Sequence, residues 1–219
     1  MKFPIKTIIA AGVLAVAPAI ASATSVVFDT NLLQTATNVT SDGLTLDVTG
    51  SNGGTVETYS LAGPQGIYLG GGGSGFSIFG GPNNTSGSYN LNFSSAISSI
   101  EIRFGFLTGN ATSGEEVFNF AADGSPVFAL LSDTTGTSQD SMTGLVSSSV
   151  PNGLGTLTYD ALGSSFTDFS FDHTQEPSNI GFILSNITVE LAPVPLPAAL
   201  PLLLFGVGGL AIAGRRRRT

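Results

Sequence analysis

The 219-residue chain has no cysteine, no tryptophan and a single histidine, and only 10% of its residues are charged. Without cysteine there is neither a disulfide framework nor a thiolate metal site. With His173 as the sole histidine, a histidine-based metal cluster is excluded as well. Between Asp29 and Glu190 there is no lysine, and Arg103 is the one cation against all 15 acidic residues, a net charge of −14. A surface of that sign repels nucleic-acid phosphates, so nucleic acid is excluded as a partner. The acidic residues are scattered, which favours a role in solubility, in a medium whose salt relieves their self-repulsion. Binding of hard divalent cations through carboxylates is the sharper alternative.

The N-terminus, "MKFPIKTIIAAGVLAVAPAIASA", carries Lys2 and Lys6, an apolar stretch from Ile8 to Val16, and small residues ending in Ala21-Ser22-Ala23. This is the pattern of a secretory signal peptide over residues 1–23, cut before Thr24. Residues 24–192 remain as one domain of ordinary size, able to build a core without disulfides.

That body alternates apolar and polar residues in short runs separated by Gly, Asn and Ser, the period-two pattern of half-buried strands. Runs of this kind are Leu44 to Gly50, Gly87 to Phe93 and Ile97 to Leu107. In the last, Ile100, Ile102, Phe104 and Phe106 form one face, and Glu101 and Arg103 the other. Further candidates are Glu116 to Ala121, Pro126 to Leu131, Gly155 to Ala161, Phe166 to Phe171, Ile180 to Leu184 and Ile187 to Leu191. Asp123-Gly124-Ser125-Pro126 and Pro151-Asn152-Gly153 are turn signals. No stretch sustains helical periodicity over three turns. The expected fold is all-β, an antiparallel β-sandwich of jelly-roll type, because a single open sheet would leave an apolar face and long edges exposed. Two stretches, Gly70 to Ser88 and Ser132 to Gly144, are expected to be long surface loops.

Motifs for chemistry are sparse. Gly70, Gly72 and Gly75 match Gly-x-Gly-x-x-Gly, but no helix follows to complete a dinucleotide site, and no aspartate accompanies them to make a calcium β-roll. His173, in "DHTQEP", is expected at the surface in a turn. Arg103 could clamp a ligand carboxylate bidentately; the commoner role is an ion pair with a nearby acid, and that is the expectation here. Glu57, Glu101, Glu115, Glu116 and Glu190 are available for carboxylate-pair hydrolysis, and nothing in the sequence sets two of them across a cleft. Without tryptophan, sugar-stacking platforms would fall to Tyr59, Tyr68, Tyr89 and Tyr159, with most phenylalanines committed to the core. No resident cofactor is expected. Calcium is the one candidate ion, with Asp29 and Asn31 near the first strand and Asp168 or Asp172 near the last ones as its ligands, should the two ends of the domain meet.

The chain closes with "VPLPAALPLLLFGVGGLAIAGRRRRT". Leu196 to Gly214 are uncharged, which as a helix would span roughly 28 Å, about a bilayer core. Pro197 and Pro201 interrupt its start, leaving a firm helix nearer Leu202 to Ala213, roughly 18 Å and short for a durable span. The four arginines Arg215, Arg216, Arg217 and Arg218 would hold the cytoplasmic side and leave the body outside. Residues 193–219 are thus a terminal segment with a transmembrane helix over about 199–214.

Val194-Pro195-Leu196-Pro197-Ala198, an apolar segment and a terminal arginine cluster together resemble the VPLPA variant of the PEP-CTERM sorting signal of Gram-negative bacteria. The commoner form of that signal has glutamate where Leu196 stands. The resemblance covers about the last 26 residues. It implies export through the Sec translocon and recognition by an exosortase, with Val194 to Ala198 as substrate residues and Arg215 to Arg218 as stop-transfer. It further implies delivery to the cell surface or an exopolysaccharide matrix. The leading expectation is therefore a displayed structural or interaction domain without catalysis of its own. A secreted carbohydrate-binding module, with or without calcium, is the second, and a glycan hydrolase the third.

Overall fold

The structure, a computed structural model, describes residues 23–59, 66–71, 86–107, 116–148, 153–174 and 182–194. The segment up to Ser22, expected to be a signal peptide, and the segment from Pro195 onward, expected to hold the transmembrane helix, lie outside the described residues. The chain forms β1 (Ser25–Phe28), α1 (Thr30–Leu33), β2 (Asn38–Ser41), β3 (Leu44–Ser51), β4 (Gly54–Tyr59) and β5 (Gly66–Gly71). Next come β6 (Ser86–Leu107), β7 (Glu116–Ala122), β8 (Ser125–Val127), β9 (Leu130–Thr135) and β10 (Thr137–Gln139). The last strands are β11 (Val146–Ser148), β12 (Gly153–Asp160), β13 (Phe166–Thr174) and β14 (Phe182–Leu191).

The fold is all-β and every strand pairing described is antiparallel. Two-residue reversals with positive φ link successive strands, and at the first and last of the three below the linked strands pair directly. Asp42-Gly43 joins β2 to β3, Asn52-Gly53 joins β3 to β4, and Asp123-Gly124 joins β7 to β8. Such pairs suit the hairpin turn whose twist matches that of the flanking strands, because Asp and Asn tolerate the left-handed region and Gly enters it freely.

β6 organises the rest. Its first half lies between β3 and β13, and its second half between β14 and β12. Between Phe166↔Ile97 and Asp168↔Asn92, β6 advances five positions while β13 advances two, so β6 is irregular around Ser94-Ser95 where its neighbours change. Rings from strands along the two halves meet. The Tyr89 ring, from the first half, meets Phe182 of β14 edge-on at 6.1 Å, and Phe171 of β13 lies 5.7 Å from the same Phe182 ring. Tyr89, Leu91, Phe171, Ile102, Phe104 and Leu184 are all buried in this one apolar interior.

The alternation proposed for Ile97 to Leu107 holds at the described side chains: Ile100, Ile102 and Phe104 are buried, Glu101 and Arg103 exposed. The two runs Gly87 to Phe93 and Ile97 to Leu107 are one continuous 22-residue strand. Likewise Ile187 to Leu191 continues the strand that starts at Phe182. Pro126 to Leu131 is instead divided, with Phe128 and Ala129 between β8 and β9.

Three expectations are corrected. Ser132 to Gly144 is not a loose loop, since β9 and β10 occupy most of it. These strands carry few apolar residues because they lie at sheet margins, and the side chain of Gln139 fastens them. Its Oε1 accepts from Leu131 N at 3.0 Å, and its Nε2 donates to Ala129 O and to Gly144 O. Of Gly70 to Ser88, the first two residues belong to β5 and the last three to β6, the residues between lying outside those described. His173 is not a surface turn residue: it is 1% exposed on β13, where the alternation of Phe169 and Phe171 carries it inward against the Phe182 ring at 5.0 Å.

Candidate functional site: a cleft around Arg103

On the outer face of the second half of the sheet, Arg103 lies in register between Thr156 of β12 and Asn186 of β14. These three residues, with Thr30, Asp133 and Ser185, line an open cleft of about 570 Å³. Volumes of about 300–1,000 Å³ are typical of small-ligand sites.

Three breaks in strand register meet here. β14 inserts Ser185 between Leu184↔Phe104 and Asn186↔Arg103. β6 carries an extra residue in Gly105-Phe106, between Gly155↔Phe104 and Gly153↔Leu107. β9 carries one in Asp133-Thr134, between Thr156↔Ser132 and Leu154↔Thr135. A bulge bends its strand and re-aims a side chain, and bulges gather beside functional sites. Each of these places a residue in the cleft wall: Ser185, Gly105 and Asp133.

The cleft owes its depth to glycine. A Cβ added to Gly105 would meet nothing within 4 Å among the described residues, so the missing side chain is open space. At Gly155 the reverse holds: a Cβ would stand 2.8 Å from Leu131 Cδ1 and 2.9 Å from Phe104 Cζ, so the ends of those two side chains would have to shift to admit one. Ser185 is held by its hydroxyl, which donates to Arg103 O at 3.3 Å, and by its carbonyl, which accepts from Thr30 Oγ1 at 2.6 Å. Asp133 has φ 49°, a left-handed conformation uncommon for a residue with a side chain.

The ion pair expected of Arg103 is not found among the described residues. Among the described residues its guanidinium has neither a salt bridge nor a hydrogen bond, although Asp133 lines the same cleft. The physical reason is the strand register, which sets Thr156 and Asn186 rather than carboxylates beside it.

The calcium candidates lie apart. Asp29 caps α1, its Oδ1 accepting from Leu32 N at 2.9 Å, and Asn31 is exposed one residue into that helix. Asp168 and Asp172 lie on β13, opposite Asn92 and Ser88 at the other end of β6. Asp172 accepts from Ser88 Oγ at 2.7 Å, and Ser88 in turn accepts from Asn52 Nδ2 at 3.0 Å. Burial pushes the Asp168 carboxyl above its ordinary value, and the neighbouring Asp123 charge adds to this against a hydrogen bond from Asn90. Among the described residues no group of three or more His, Cys, Asp or Glu side chains is placed to hold a metal ion.

Of the tyrosines considered as sugar platforms, Tyr89 is buried and Tyr159 packs on Phe166 and Phe169. The side chains of Tyr59 and Tyr68 are not among those described. Val194, the first residue of the VPLPA stretch, is 76% exposed. Arg103 was visible in the sequence as a lone cation. Asp133, Ser185, Asn186 and Thr156 were not singled out, because only register across distant strands brings them to it. A lone aspartate followed by Thr-Thr-Gly is the one local hint of a bulge at Asp133.

No protein-family model matches the chain, and no curated protein matches it in sequence. Among the described residues, no helix is long and apolar enough to cross a membrane.

Proposed function

We propose that this chain is the precursor of an exported β domain, sorted by its VPLPA-type C-terminal segment to the cell surface or an exopolysaccharide matrix, where it serves a structural or interaction role. The finer fold proposed with it is a jelly-roll-like β-sandwich made by folding one sheet face to face. The ring contacts of Tyr89 and Phe171 with Phe182 support that arrangement.

One observation carries the functional proposal: the domain closes on itself just inside both processing points. β1 begins at Ser25, directly after the expected cut before Thr24, and pairs along its length with β14. Leu191 N donates to Thr24 O at 2.9 Å, and Ala192 N donates to Ala96 O at 3.0 Å. The backbone is therefore hydrogen-bonded up to two residues before Val194, and the motif starts on exposed chain. Removing either terminal segment would remove none of the described strands.

The test is mass spectrometry of the protein from its host, fractionated into membrane, surface and medium. The expected mature species begins at Thr24 and lacks Arg215 to Arg218. A mature pool ending intact at Thr219 would leave a simple membrane anchor and overturn the sorting proposal.

A further inference from the structure

The geometry points to the Arg103 cleft as a binding site for a carboxylate-bearing sugar, a uronic-acid unit. This goes beyond the display role and does not depend on the sorting signal.

Arg103 is the one cation between Asp29 and Glu190, against 15 acidic residues. A guanidinium offers a planar fork of donors that fits a carboxylate bidentately, and such charge-assisted pairs are stronger than neutral hydrogen bonds. Arg103 has no protein partner for that fork among the described residues, in a domain with acids to spare. Across the cleft Asp133 supplies an acceptor, and Thr30, Thr156 and Asn186 supply neutral hydroxyl and carboxamide groups. Acceptors and donors of this mixture match the hydroxyls of a sugar ring. Leu154, 43% exposed on β12 at the cleft, offers an apolar surface for the C–H face of the ring.

Charge narrows the ligand class. Arg103 and Asp133 together leave the cleft formally neutral, and the surrounding domain is strongly acidic, so a dianion such as phosphate or sulfate is repelled about twice as strongly as a singly charged carboxylate. A neutral sugar would cover the guanidinium without pairing it, and an unpaired desolvated charge is costly. One carboxylate with several hydroxyls satisfies both walls. The Asp133 bulge and the side-chain-free floor at Gly105 are the devices that open room for it.

The test is isothermal titration of the full-length chain in a nonionic detergent with D-glucuronate and D-galacturonate, and with D-glucuronamide as the neutral isostere. At least one uronate is expected to bind at millimolar concentration or below, and glucuronamide to bind at least about tenfold more weakly than glucuronate. Arg103→Gln is expected to lower uronate affinity by about tenfold or more with an unchanged melting transition. Gly105→Leu, which fills the cleft without touching a charge, is expected to abolish binding. Uronate and amide bound equally, no binding of either uronate at millimolar concentration, or unchanged affinity in Gly105→Leu would each overturn the proposal. If Arg103→Gln fails to fold, the acid-against-amide comparison on the unaltered chain decides. Loss of uronate binding leaves the sorting proposal standing, since that is read from the chain termini.

Discussion

Tyr89 and Phe182 meet edge-on, their ring planes 86° apart, although Tyr89 belongs to the half of β6 that pairs with β3 and Phe182 to the strand that pairs with the other half. This contact spans the interior between the two halves of the sheet. Edge-to-face geometry sets the positive rim of one ring against the negative face of the other.

Phe182→Ala should therefore destabilise the domain by about 3–5 kcal/mol, the usual loss for a fully buried aromatic. Urea unfolding followed by circular dichroism measures it. A loss below about 1 kcal/mol would mean that the halves do not pack on one another.

Gln139→Ala should cost about 1–3 kcal/mol, because it leaves Leu131 N and the carbonyls of Ala129 and Gly144 without their side-chain partner. Gln139→Glu should be no better at neutral pH, since a carboxylate cannot donate to those two carbonyls. Limited proteolysis should then find its first cuts between residues 128 and 144; unchanged cleavage in both variants would refute the stapling role.

Gly144→Ala and Gly43→Ala separate backbone strain from collision. Both glycines have positive φ, 75° and 81°. A Cβ at Gly144 would stand 2.7 Å from Phe128 Cδ2, whereas one at Gly43 would meet nothing within 4 Å. Gly43→Ala should cost about 1 kcal/mol from strain alone, and Gly144→Ala measurably more. Equal losses would show that the Phe128 ring moves aside freely.

Two aspartates should titrate in opposite directions from the ordinary 3.8. Asp140 is lowered, first by the backbone N–H of Thr143 at 2.7 Å, then by that of Met142 at 2.8 Å and by the Thr143 side chain. Its contribution to stability is present above 3.8 and lost as pH falls through its folded value. Asp168 is raised, chiefly by burial, so its folded form holds the proton more tightly and stability declines as pH rises from 3.8 through its folded value. Carboxyl chemical shifts followed by NMR should give a lower midpoint for Asp140 than for Asp168. Asp168→Asn should remove the second dependence, and the reverse order of midpoints would contradict both assignments.

Much of the strand content could be read locally. Ile100, Ile102 and Phe104 alternate with Glu101 and Arg103, and pleating sends the two sets to opposite faces whatever the neighbours are. Asp123-Gly124 marks its reversal for an equally local reason, since φ above zero is easiest there. β9 and β10 escaped notice because their partners, not their own apolar content, make them strands. His173 follows the polar Asp172, which hides its place locally, while period two continues the Phe169, Phe171 series into the core.

The sequence by itself thus determined that the chain is all-β and that its body is acidic with one cation. These follow from residue-by-residue preferences and a sum of charges. Only the tertiary structure decided that β6 changes neighbours midway, from β3 and β13 to β14 and β12, that Thr156 and Asn186 flank Arg103, and that Asp133 and Ser185 share its cleft. Those outcomes depend on register between strands up to some 80 residues apart in sequence, and one inserted residue in a strand changes which side chains meet.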